Sequence, residues 1–455
     1  MHVELRNIAL PTVTASQDRP TVSAEDYAQA CDALYAAAGA DWVVVYGDRE
    51  HAANLSYLCG FDPRFEEALL MLGKGGQHGL LVGNEGLGYT SVSPLALEVI
   101  LAQSLSLMGQ TRAQAPRLAT TLRELGIATG ARVAVVGWKY LEPEESDDPS
   151  APAFVPAMLA DCLRKLVGAA GQVFDATALL MHPTKGLKAK QSPARIAAAE
   201  WSAMRAADAV LRIVRGTRPG MSEREAAGLM EYQGDPLSCH MMLSGGRGPI
   251  VGLSSPSGRK LAAGDGITTA VGLRGSLCCR AGLLAEPGDE SFQQRFVAPY
   301  FGALATWWQA MRIGVTGDAI HNTVIASLAG AAFAPALNPG HLIADDEWSH
   351  SPIRPGSTEQ IASGMIFQCD IIPAPLPDGY ALNCEDTVAV ADAELRAALQ
   401  ASYPALWQRV QARRAFMREA LGISLAEELL PLSSAPAYLP PFWLQSDLVC
   451  TISAE

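Results

Sequence analysis

From residue 24 to 38 the chain reads AEDYAQACDALYAAA, with apolar side chains recurring at helical spacing, and it runs into Trp42-Val43-Val44-Val45-Tyr46, a short β-rich string. A second apolar string, Ala68 to Leu72, precedes the turn at Gly73 to Gly76, and Leu80-Leu81-Val82 follows it. Pro116, at a first-turn position, opens a helical stretch to Leu125, and Gly126 leads on to the strand Val133 to Gly137. Strands alternating with helices predict an α/β N-terminal domain over residues 1–185, with the acidic, Pro/Ser-rich segment Glu142 to Pro152 as a surface loop.

The basic, turn-forming stretch from Lys185 to Ala194 is the best candidate boundary, and Ala194 to Arg215 beyond it is a long amphipathic helix. Ser222 and Glu225 have the spacing of a capping box, in which hydroxyl and carboxylate satisfy two orphan N–H groups at a helix start. Gly-bounded β strings at 266–271, 365–372 and 387–390 alternate with helical stretches at 290–312 and 318–331. This mixture predicts a second, α+β domain over 186–392. Residues 393–455 then form a helical and Pro-rich C-terminal extension packed on it, with PLSSAPAYLPPF at 431–442.

Composition narrows the classes. Of 455 residues, 49% are hydrophobic and 18% charged, enough apolar material for a large core, which excludes disorder or coiled coil as the main state. A formal charge of −13 with no Lys/Arg run lacks the footprint that phosphate backbones or anionic lipid require, so nucleic acid and membrane are excluded as partners. No apolar run approaches about 18 residues, and Glu4 and Arg6 interrupt the N-terminal MHVELRNIAL. Nine cysteines without a CxxC pair fit a reducing compartment. The expectation is a cytoplasmic protein acting on a small-molecule substrate.

Candidate chemistry lies in the second domain. Asn338-Pro339-Gly340-His341 is followed by LIADDEW and then by Ser349-His350, so two histidines lie nine residues apart with three acids between them. Downstream come Gly364-Met365-Ile366-Phe367-Gln368-Cys369-Asp370, a strand ending in a carboxylate, and Asn383-Cys384-Glu385-Asp386-Thr387. Upstream is Arg259 to Asp265. In this order and spacing the strings resemble the signature of the creatinase/aminopeptidase family, the pita-bread fold of prolidases, methionine aminopeptidases and creatinase. The Lys188–Arg205 segment, the Gly220 to Glu225 helix start and the first α/β domain extend the resemblance over essentially the whole chain.

In that family's metallopeptidases two divalent metals are held by two aspartates, one histidine and two glutamates, with a further histidine on a preceding loop. Hard carboxylates and an imidazole can hold two ions close enough to turn a bridging water into a hydroxide nucleophile. The resemblance puts the ligand histidine on His341, a second, substrate-binding histidine on His350 and the last glutamate on Glu385. It puts Ala270 at the first aspartate and Cys279 near the second, shortens the other glutamate to Asp370, and puts Leu253 at the loop histidine.

With two bridging carboxylates missing, the expectation is no cofactor, or at most a weak single divalent ion at His341, Asp370 and Glu385. The leading reading is a metal-independent hydrolase of a C–N bond in a small polar, cationic metabolite. In it His341 and His350 position substrate or shuttle a proton, Cys279 or a water attacks, and Asp370, Glu385, Arg280 and His240 bind substrate. Each residue also has a plain alternative. The histidines can be hydrogen-bonded core residues, Asp370 and Glu385 an acid pair near Arg280, and Cys278-Cys279 small core hydrophobes. Two rival functions stay open: an Xaa-Pro dipeptidase or aminopeptidase with an atypical metal site, and a catalytically silent relative that binds a ligand or stabilises a partner. The resemblance further implies a homodimer in which residues 46–67 wall the neighbour's site.

Overall fold

The computed structural model describes residues 1–14 and 16–453, which fall into two compact units, Val22–Ala189 and Met1–Thr21 with Lys190–Glu455. In the first unit the helix Ala24–Ala38 starts at Ser23, whose hydroxyl accepts from the Asp26 amide at 3.1 Å while the Asp26 carboxylate accepts from the Ser23 amide. It ends where Gly39 turns left-handed at φ 57°. The sheet runs Glu98–Leu101, Gln77–Val82, Ala68–Gly73, Trp42–Gly47, Arg132–Val136, Gln172–Asp175, with the Trp42–Gly47 strand antiparallel to Ala68–Gly73 and parallel to Arg132–Val136. Alternation divides its core. Val43, Val45, Leu70 and Leu72 pack on one face, and Trp42, Val44, Leu69 and Met71 on the other. Both faces are covered, which is why these strands read as unbroken apolar strings.

The second unit is built on an antiparallel sheet in the order His341–Leu342, Ile366–Cys369, Asn383–Val390, Ser276–Leu283, Gly266–Leu273, Met242–Gly246, with Leu429–Pro431 also paired to Asn383–Val390. The helix Pro193–Gly216 backs the hairpin Gly266–Leu273/Ser276–Leu283, where Val210, Ile213 and Val214 meet Ile267, Val271 and Cys278. The capping box of Ser222 and Glu225 is formed. The stretch expected as one helix over 290–312 is divided into Glu290–Phe292, a π turn Gln293–Val297 and Ala298–Ala310. Pro299 lies at the join and has no N–H to continue the ladder.

One stretch lies elsewhere than the sequence placed it. The first 21 residues belong with the second unit, because His2–Asn7 pairs antiparallel with Leu448–Ser453, bringing Leu5 opposite Cys450 and Val3 opposite Ile452. The 431–442 stretch, expected as part of an extension packed on the second domain, supplies part of that unit's core. Ala435, Ala437, Tyr438, Leu439 and Phe442 are all fully buried with Trp307 and Trp308 in the largest apolar cluster. Among the described residues no helix is long and apolar enough to cross a membrane, and all nine cysteines are free thiols.

The long helix is tied to the C-terminal helix Pro404–Glu419 through a buried charge. Glu200 accepts from Arg409 Nε and Nη2 at 2.9 and 2.8 Å and from Arg413 Nη2 at 2.7 Å, with Glu200 and Arg413 both buried. Removing Glu200 strands the Arg413 guanidinium without solvent. Glu200→Ala is therefore expected to cost about 3–5 kcal/mol of stability, read as a lower urea midpoint. In the first unit, burial lifts the Asp175 carboxyl to about 6, against the hydrogen bonds from Thr177 that lower it. A folded pKa above the unfolded one gives stability that is lost as pH rises through that window. Replacing Asp175 by Asn should flatten the fall of Tm between pH 4 and pH 7 (roughly the span of the two pKa values), and an unchanged slope would refute the assignment.

Candidate functional site

Register puts the site together. Met242 lies opposite Ala270, Ala270 opposite Cys279, and Cys279 opposite Glu385, one row across four strands. Extending the pairing of Cys369 with Asp386 by one residue sets Asp370 opposite Glu385 and ends that row. In the neighbouring row His341 faces Gln368 and Gln368 faces Thr387. Lateral partners share a face of the sheet, so three ligand-type side chains meet. One ligand atom each from His341, Asp370 and Glu385 lies within 4.8 Å of the others, and all three residues are buried.

His341 turns Nδ1 toward the Leu342 carbonyl at 3.2 Å, which leaves Nε2 facing inward, 3.8 Å from Glu385 Oε1 and 3.3 Å from Glu347 Oε1. The Trp348 ring stacks on the imidazole at 4.1 Å and 18°. Glu385 Oε1 accepts from Gln368 Nε2 at 3.1 Å; that amide nitrogen also donates to the Leu277 carbonyl, and its oxygen accepts from the Thr387 hydroxyl at 2.6 Å. Asp370 is 5% exposed, and its Oδ1 is buried with no hydrogen-bond partner among the described residues.

Electrostatics follow from three carboxylates and one imidazole in little water. Burial lowers the His341 pKa, but the hydrogen bonds and charges of Glu347 and Glu385 outweigh it and raise it to about 10. Glu385 is pushed above the carboxylate range by burial and then by the charge of Asp370, with His341 pulling the other way. Asp370 moves up as well, by burial, against the imidazole's charge. The cup has more acid than its one cation compensates.

Alternation also decides which expected residues do not face the cup. Arg280 follows Cys279 and so points to the other side of the sheet, where it is 1% exposed. Its Nη2 lies 2.9 Å from each oxygen of Asp386, and its other bonds go to the carbonyls of Tyr438, Cys279, Glu385 and Ala435. The expectation that Arg280 binds substrate is corrected accordingly: every donor is engaged inside the core. Cys279 does face the cup, where burial, then the charges of Glu385 and Asp370, push its thiol well above its ordinary value, which disfavours a thiolate; it clusters with Met242, Ala270, Leu277 and Cys239.

His240 is exposed, with its Nε2 2.9 Å from the Leu253 carbonyl, and Leu253 is itself 76% exposed on its loop. The carbonyl of His350 accepts from the Leu342 amide, which brings its backbone alongside the residue after His341. Four site residues went unnoticed in the sequence. Gln368 and Thr387 stand two positions from Asp370 and Glu385, so a period-2 reading of those strands would have put them on the same face. Glu347 and Trp348 lie in a loop, for which no periodicity exists.

Residues 201–392 match the model of Metallopeptidase family M24. No curated protein sequence matches the chain. Among solved structures the chain is similar to an Xaa-Pro dipeptidase from Bacillus anthracis (15% identity, TM-score 0.61, 82% of this chain and 96% of that one). It is also similar to a prolidase from Thermococcus sibiricus (17%, 0.63, 82% and 95%) and an X-Pro aminopeptidase from Thermotoga maritima (16%, 0.58, 79% and 95%). The chain thus has the creatinase/prolidase-like pita-bread fold, and the stretch that matches the M24 model lies in its second unit.

The donor set meets the metal that this fold implies only in part. His341, Asp370 and Glu385, with an unpartnered carboxylate oxygen among them, suit one divalent ion. A methyl at Ala270 and a neutral thiol at Cys279 offer no bridging oxygen for a second. Two adjacent residues should therefore respond oppositely to mutation. Asp386→Ala strands the buried Arg280 guanidinium and is expected to lose about 3–5 kcal/mol. In chelator-treated protein Glu385→Gln removes an acid whose raised pKa destabilises the fold as pH climbs, so its Tm should exceed wild type at pH 9 (about the top of that window). A loss for Glu385→Gln matching that for Asp386→Ala would contradict the account.

Proposed function

We propose that the chain is a hydrolase of a C–N bond in a small polar substrate, working without a paired-metal centre and with a cup that accepts a single cation. The observation behind this reading is the row Met242–Ala270–Cys279–Glu385, in which apolar and thiol side chains occupy the positions where two ions need carboxylates. The buried, unpartnered Asp370 Oδ1, beside His341 and Glu385, favours one divalent ion as that cation, which is the reading of an Xaa-Pro dipeptidase-like enzyme with an atypical metal site. Such an ion would polarise a carbonyl and lower the pKa of a water.

The chain's own residues supply the rest. Gln368 holds Glu385 in place through its amide nitrogen and is held by Thr387 in turn, so the carboxylate keeps its orientation without solvent. A carboxylate of the Asp370–Glu385 pair can take the proton of an attacking water, and the carboxyl so formed can return it to the departing nitrogen. The apolar patch of Met242, Ala270 and Leu277 gives the substrate a dry wall.

The metal-free alternative fills the same cup with a cationic group of the substrate, an amine or guanidinium held by Asp370 and Glu385. Here the excess of buried acid is what supports it. A homodimer, implied by the family resemblance, belongs to either version, and a monomer in light scattering would remove it. Metal analysis of the purified chain, followed by turnover assays on Xaa-Pro dipeptides and guanidino compounds, separates the versions. The single-ion version expects one equivalent of metal and loss of dipeptide turnover on chelation. Two equivalents would overturn the proposal, and no turnover on any C–N substrate would leave a ligand-binding relative.

A further inference from the structure

Resting on the single-ion version above, we propose that Glu347, on the loop between His341 and His350, is the fourth protein donor of that ion, in place of the carboxylates missing at 270 and 279. Three strand-borne donors leave a divalent cation short of the four or more ligands it takes in proteins. The hairpin side of the cup cannot supply another oxygen from Ala270 or Cys279. The opposite side can. His341 Nε2, the nitrogen directed inward, is bracketed by Glu385 Oε1 at 3.8 Å and Glu347 Oε1 at 3.3 Å. Two strand carboxylates and Glu347 would place three negative charges around a dication, with a neutral imidazole completing the set.

The loop is folded so as to keep Glu347 there. The Leu342 amide donates to the His350 carbonyl at 2.7 Å, and the amide and hydroxyl of Ser349 return to the Leu342 carbonyl at 3.1 and 3.0 Å. The Ala344 amide donates to the Asp346 carbonyl at 3.1 Å, closing the turn just before Glu347. Trp348 then lies flat on the imidazole. An ion pair between Glu347 and His341 alone would leave the buried Asp370 Oδ1 without a partner, whereas a cation among His341, Asp370 and Glu385 would serve that oxygen and draw in the Glu347 carboxylate, 3.3 Å from the imidazole.

The test uses the full chain, freed of metal by chelator and titrated with cobalt(II), with binding followed by calorimetry and by visible absorption, which reports the ligand field. Wild type is expected to bind one equivalent. Glu347→Gln should weaken binding about tenfold or more and shift the cobalt spectrum. Glu347→Asp should recover part of the affinity. Trp348→Ala, which loosens the loop but leaves the carboxylate, should keep the wild-type spectrum. One equivalent bound by Glu347→Gln with unchanged affinity and spectrum would overturn the role of Glu347 while leaving the single-ion version standing. No cobalt bound by wild type would overturn both.

Discussion

The Arg280–Asp386 pair fixes the two central strands of the second unit, and the site depends on that. Arg280 sits on Ser276–Leu283 and Asp386 on Asn383–Val390, and the guanidinium also binds the carbonyls of Ala435 and Tyr438, while the Ala437 amide donates to Asp386 at 2.8 Å. Ala437 adopts φ 55°, a left-handed conformation uncommon for a residue with a side chain, and its amide bond to the carboxylate is a visible reason for it. One buried ion pair thereby joins two strands and the C-terminal stretch. Because strands alternate, fixing Arg280 and Asp386 on one face presents Cys279 and Glu385 on the other. A slip of one residue would exchange the two sets and bury the acid cup against the helix Pro193–Gly216.

The two faces handle charge in contrasting ways. On the Arg280 face the carboxylate meets a guanidinium of fixed geometry and every lone pair finds a donor, the condition under which buried ions are tolerated. On the cup face, among the described residues, His341 is the one cation beside Glu347, Asp370 and Glu385, and an oxygen of Asp370 has no partner. Folding alone does not select such an arrangement, since an apolar pair of similar volume would fill the space at lower cost. Local excess of buried like charge, beside a neighbouring region where the same sheet balances it fully, is what supports the cation proposed for the cup.

Much of this was legible in the sequence. Helix Ala24–Ala38 follows from periodicity, because it buries a regular face, while the central strands of the first unit and the β string from Gly266 follow from short apolar strings bounded by turn residues. His341, Asp370 and Glu385 were visible through the ordered strings that carry the family resemblance. Pairing across the sheet was not visible, so the sequence could not tell that Arg280 and Cys279, neighbours in the chain, face opposite sides. Nor could it see that Val3 and Leu5 complete a strand with residues over 440 positions away, since non-local pairing leaves no local signal. The 431–442 segment hides its burial for a related reason. Its prolines break regular structure, and irregular segments usually lie on the surface, yet its alanines, Tyr438 and Phe442 fill the core.

The two sides of the cup differ in how far their inward side chains are tied into the fold. Ala270 and Cys279 are held by the pairing of their strands with each other and with the strands on either side, and the hairpin is backed by Ile267, Val271 and Cys278 against the long helix. None of that support involves what points into the cup, so the inward residues of the hairpin are free to vary. Glu385 and Gln368 are different: their side chains bond to each other, to the Leu277 carbonyl and to Thr387, tying the inward face of three strands together. Acids could leave the hairpin at little structural cost, whereas removing Glu385 alters a network. That asymmetry accounts for a cup with its carboxylates gathered on the side of Asp370 and Glu385 and an apolar wall on the side of Ala270.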